Sequence, residues 1–74
     1  MPLGQVAHTI TIEPDGNDHR LFLDAQLLST YLTLERARFA ALLLARNINL
    51  AVKKLDFEPN ELGHLVATVH KTIS

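Results

Sequence analysis

No segment constrains this chain more than Pro14-Asp15-Gly16-Asn17-Asp18. Proline fixes φ, glycine supplies positive φ, and Asn and Asp side chains bond back to nearby backbone, so the chain must turn there. Before the turn, Val6 to Ile12 reads V-A-H-T-I-T-I, with Val6, His8, Ile10 and Ile12 alternating against Ala7, Thr9 and Thr11. That is the period of a half-buried strand. After the turn, His19 to Leu23 supplies a second strand. The chain is therefore expected to open as an antiparallel meander.

The stretch after Leu23 has two readings. Asp24 could cap a helix from Ala25 to Leu55, but about 31 residues at 1.5 Å each make a rod of about 46 Å. A compact chain of this length has a radius of gyration of only about 11 Å. The reading adopted is a tight turn at Asp24-Ala25-Gln26, a third strand over 27–32, and Thr33 as the N-cap of a helix over 34–47. Ser29, Thr30, Tyr31 and Thr33 favour extended structure or compete for backbone hydrogen bonds, and Glu35 falls in the first helical turn, where negative charge suits the dipole.

Leu34, Ala37, Ala41, Leu44, Ala45 and Ile48 share one arc of that helix, and Ala51, Val52 and Leu55 extend the arc if the helix continues to 55. Asn47 and Asn49 offer a break instead, since residues 48–53 also alternate like a strand. Glu58-Pro59-Asn60-Glu61-Leu62 resembles a helix start, with proline at a first helical position and acids beside it. Leu62, Leu65, Val66, Val69 and Ile73 follow helical spacing, giving an expected C-terminal helix over 59–72. The β-branched residues Val66, Thr68, Val69, Thr72 and Ile73, with Gly63, support a strand as the rival.

The expected fold class is α+β, a single domain with a small antiparallel meander of two or three strands, a main helix and a C-terminal helix. The layout from Ile10 to Arg46, a meander leading through a Thr-x-Glu cap into a helix, resembles in outline the arm-binding domains of integrases. That resemblance rests on element order and implies no functional residue.

A chain of 74 residues buries only about 60% of its unfolded surface and gains from a disulfide, a metal or association. With no cysteine, disulfides and thiolate metal sites are excluded. The longest apolar run, Phe39 to Ala45, is far short of the roughly 18 residues of a membrane span. Nor does Met-Pro-Leu-Gly-Gln read as a secretory signal, so a cytoplasmic protein is expected.

A second apolar stripe, Phe39, Leu42, Leu43 and Leu50, lies away from the core arc. Either the C-terminal helix covers it, with Leu62, Leu65, Val66 and Val69 against Phe39 and Leu43, or it is an interface. On the second reading Phe39, Leu42, Leu43 and Leu50 anchor a protein partner, with Arg38 and Arg46 at the rim. The expected function is that of a regulator or inhibitor that binds a larger protein and self-associates as a homodimer or other homo-oligomer.

The net charge of −1 conceals segregation. Residues 36–54 carry Arg36, Arg38, Arg46, Lys53 and Lys54 and no acid, while 1–35 carry five acids against Arg20. A nucleic-acid-binding accessory protein using those five bases is the alternative function. On a helical wheel they split into two groups, and stacking aromatics are few.

His64 and His70 are six apart and lack metal-ligand spacing, so no metal or other cofactor is expected. His8, on the apolar face of strand one, is read as a hydrogen-bonded imidazole. Pro2 could offer an amino-terminal base like that of the tautomerase family, but those chains pass from their first strand into a helix and a parallel strand, whereas this one turns into a second antiparallel strand. With no phosphate-cradling loop, nucleophile elbow or cysteine nucleophile, the chain is read as non-enzymatic.

Overall fold

A computed structural model describes residues 5–72 of the chain. Pro2 and Ile73 lie outside them. The alternating run becomes β1 (Gln5–Asp15), longer than its pattern suggests because Glu13, Pro14 and Asp15 remain paired with β2 (Asp18–Leu23) up to a two-residue turn at Gly16-Asn17. Gly16 has φ +61°, which suits the first central position of a tight hairpin. A second two-residue turn, Asp24-Ala25, leads into β3 (Gln26–Tyr31). Asp24 has φ +54°, a left-handed conformation that a non-glycine residue adopts at a cost.

Hydrogen bonds hold Asp24 in place. Its backbone N–H donates to the Thr9 carbonyl at 2.7 Å, and its carboxylate accepts from the Thr9 N–H at 3.0 Å. Together they continue the β1–β2 ladder by one residue.

After Tyr31 the chain enters α1 (Leu34–Ile48), capped by the Thr33 hydroxyl, which accepts from the Arg36 N–H at 3.1 Å. Ala37, Ala41 and Ala45 are fully buried on the face turned to the sheet. With only methyl groups there, the helix sits close over Ile10, Ile12 and Leu21 of β1 and β2, the centre of the core. Leu34, expected in the same arc, sits at its end and is 37% exposed.

The helix ends at Ile48 and does not continue to 55. Asn49 stops it: the Asn49 backbone N–H still reaches the Ala45 carbonyl at 2.8 Å, but its side-chain oxygen accepts from the Ala51 N–H at 3.0 Å and turns the chain away. An irregular connection then places Val52, Leu55 and Phe57 against the core and reaches β4 (Glu58–Pro59).

The expected C-terminal helix over 59–72 is not formed. In its place stand a turn and β5 (Leu65–Thr72), so the domain is a five-stranded antiparallel sheet with one helix among the described residues, not two or three strands with two helices. The physical reason lies at Asn60. Its side-chain oxygen accepts from the N–H groups of Leu62 and His64, both at 2.9 Å, while Gly63 takes φ +81°. The residues that resemble a helix start thereby close a hairpin. Beyond it Ala67 and Val69 are buried while Thr68 and His70 are exposed, an alternation with period two. Leu62, expected to pack on Phe39 and Leu43, is 77% exposed.

The strand order is β3-β2-β1-β5-β4. β1 is central, with β2 on one side and β5 on the other, and α1 crosses one face from β3 towards β5. From Ile10 to Arg46 the chain is a meander leading into a capped helix, and beyond it the last long strand joins the sheet beside the first.

Candidate functional site

α1 covers its own sheet with alanines, Leu44 and Ile48, while Phe39 and Leu43 point away from it. Phe39 is 64% exposed and Leu43, one turn on, is 49% exposed. No C-terminal helix lies over them. Phe39 forms a ridge between two shallow grooves. One, of about 440 Å³, is lined by Tyr31, Glu35, Arg36, Phe39, Ala40 and Leu43, and so runs between the end of β3 and the first half of α1. The other, of about 260 Å³, lies towards the connection after the helix and is lined by Arg38, Phe39, Leu42, Lys54, Leu55 and Phe57.

Three of the four expected anchors therefore converge. Phe39 and Leu43 are on the surface, and Leu42 is half-buried beside them. Leu50 does not join: it is 84% exposed in the turn after Asn49, not on the helix. The Arg38 guanidinium stacks over the Phe57 ring, 5.7 Å from its centroid, so it borders the second groove as a held side chain. Arg46 lies exposed in the last turn of α1. Arg36 borders the first groove next to Glu35.

The five bases of residues 36–54 do not lie on one helix. Arg36, Arg38 and Arg46 are on α1, whereas Lys53 and Lys54 are on the connection, with the Lys54 amine 4.0 Å from the Asp56 carboxylate.

Sequence reasoning missed the surface next to this helix. β3 is an edge strand whose outer side meets no other described strand. Its residues Gln26 to Thr30 are exposed, Leu27 and Leu28 among them, and Leu32 just beyond it is 73% exposed. A register shift against β2 leaves Leu28 as the extra residue of a bulge. The available signal was the uncharged run Gln26 to Thr33, unusual for an edge. The opposite edge differs. There β4 is two residues long and contains a proline, and the Asn49 side-chain amide donates to the His70 carbonyl on β5 at 2.9 Å.

Two of the four histidines, His8 and His64, sit beside different carboxylates. His8 is half-buried, its Nδ1 3.1 Å from the Asp24 carboxylate. The Thr9 N–H first, and His8 second, hold the Asp24 carboxyl below its ordinary value. His64 lies 3.9 Å from Glu13, which also faces Arg20 at 3.7 Å. Among the described residues no group of three or more His, Cys, Asp or Glu side chains is placed to hold a metal ion, and no helix is long and apolar enough to cross a membrane. No family model, curated protein or solved structure matches this chain.

Proposed function

We propose that this protein is a small, non-enzymatic interaction protein that acts as a regulator or inhibitor by burying the outer face of α1 against another protein. The observation that carries the reading is the exposure of Phe39 and Leu43 on a ridge between two apolar grooves. Fully burying a Phe or Leu side chain contributes about 1.5–3 kcal/mol, so covering the exposed parts of these two contributes a fraction of the roughly 8 kcal/mol of a micromolar complex. Arg38, held by Phe57, and Arg46, at the helix end, stand where rim charges would set orientation. Leu42 lines the second groove beside Phe39, and Leu50, in the turn after Asn49, does not count among the anchors. A cytoplasmic setting suits a cysteine-free interaction protein. The nucleic-acid alternative has less support, because Lys53 and Lys54 do not continue the basic helix.

The test is affinity capture from the native host followed by mass spectrometry, comparing the wild type with Phe39→Glu and Leu43→Glu. Both positions are exposed, so circular dichroism should not change. A bound protein recovered with the wild type should be reduced at least tenfold with each variant. Recovery of the same proteins in the same amounts would remove the α1 face from the reading.

A further inference from the structure

β3 and the groove beside it form one continuous margin of the molecule, because Tyr31 ends the strand and also lines the groove with Phe39 and Leu43. The margin carries no charge from Gln26 to Thr33, whereas isolated sheet edges are commonly guarded by lysine, proline or extreme shortness. The bulge at Leu28 bends the strand and leaves Ser29 to Tyr31 as its straight part. The groove is bordered by one acid, Glu35, and one base, Arg36, adjacent in sequence. Such a pair is self-complementary: a two-fold axis sets each charge of one copy against the opposite charge of the other.

We propose that two copies of this chain pair antiparallel along β3, with Thr30 opposite Thr30 of the second copy, Ser29 opposite Tyr31, and Leu28 opposite Leu32. The inference rests on the reading that the chain works by binding protein beside α1, and it names the partner as a second copy. Geometry restricts the register. An axis normal to the sheet keeps both helices on one face, so it must pass through a residue that opposes itself. Thr30 is the centre of the straight part of the strand. This choice also sets the exposed Leu28 against the exposed Leu32 of the other copy. On the covered face the two grooves then meet, with Glu35 and Arg36 of one copy against Arg36 and Glu35 of the other. Five paired residues of each copy, 28–32, give a seam of about 17 Å, at the small end of specific interfaces, so association in the micromolar range is expected.

The absence of cysteine makes the test direct, since each introduced thiol is the only one present. Sedimentation equilibrium across a dilution series from low to high micromolar should show a monomer–dimer equilibrium for the wild type. Under mild oxidation Thr30→Cys should become mostly covalent dimer, because a residue on the axis lies within the Cα separation of about 4.4–6.8 Å that a disulfide spans. Leu27→Cys, on the same strand and equally exposed, would face its own copy across about 20 Å and should give several-fold less. Glu35→Arg and Arg36→Glu should each weaken the dimer about tenfold, and the double exchange should restore it.

A wild type that stays monomeric at high micromolar concentration would overturn the proposal. So would a dimer in which Thr30→Cys cross-links no better than Leu27→Cys. If Phe39→Glu dissociates that dimer, the α1 face remains a binding surface and only the β3 pairing falls.

Discussion

The two margins of the sheet are built from opposite materials. On the β5 side the backbone is partly covered: β4 pairs with the first two residues of β5, the proline of β4 has no N–H to offer, and the Asn49 amide donates to the His70 carbonyl. The connection after α1 then folds Leu55 and Phe57 inward. On the β3 side six residues run without a charge or a proline, flanked by exposed leucines and an open apolar groove. A single small domain can thus close one edge with its own side chains and leave the other available. The closed edge contributes to stability, whereas the open one is where binding would be placed.

The largest expected effect comes from the centre that both margins share. Ile10 is fully buried and pairs with Leu23 of β2 and Ala67 of β5, so Ile10→Ala should destabilise the domain by about 2–5 kcal/mol, read from urea unfolding. Loss well below that range would mean that the core does not converge on β1.

Next, Asn49→Ala removes two side-chain hydrogen bonds, one to β5 and one within its own turn, and should cost about 1–2 kcal/mol. Ser29→Ala on the open edge should change stability by less than about 0.5 kcal/mol. Equal losses at the two positions would break the contrast between the edges. Hydrogen exchange sharpens it, since amides of β5 should be better protected than those on the outer side of β3.

The smallest effect is acid dependence. Asp24 has a folded pKa below its unfolded value, so its contribution is fully present above the unfolded value near 3.8 and is lost as pH falls through the lower folded one. Asp24→Asn should flatten the decline in unfolding midpoint as pH falls below the unfolded value. A decline of unchanged slope in that variant would assign the acid sensitivity to other carboxylates.

Legibility of the sequence follows the same division. The first half reads well because Pro14 to Asp18, Asp24 and Thr33 are local signals that act through neighbouring backbone. The last third misleads because Leu65, Val66 and Val69 fit a helical face, while Leu65, Ala67 and Val69 fit a strand face, and a small alanine in the middle hides the second pattern. Asn60 decides between them through two backbone N–H groups, and a polar residue near a proline is as ordinary at a helix start as in a turn.

For the candidate surface, the second stripe at Phe39, Leu42 and Leu43 was readable from helical spacing alone. The part played by Tyr31 was not, since it depends on where β3 ends relative to α1. Leu50 shares the stripe only on a helix that runs past Asn49, and Asn49 terminates it.

The position of β1 between β2 and β5 also sets the order in which the domain can be completed. The β1–β2–β3 meander closes through turns of two residues, at little entropic cost, and α1 follows it directly. β5 must then return from the far end of the described chain to pair with Val6 through Ile12. That step carries the longest loop closure in the molecule and is the natural candidate for the rate-limiting event in folding. Until it happens β1 has an open side of its own, rich in isoleucine and threonine, so a newly made chain passes through a stage in which its central strand is its most adhesive one.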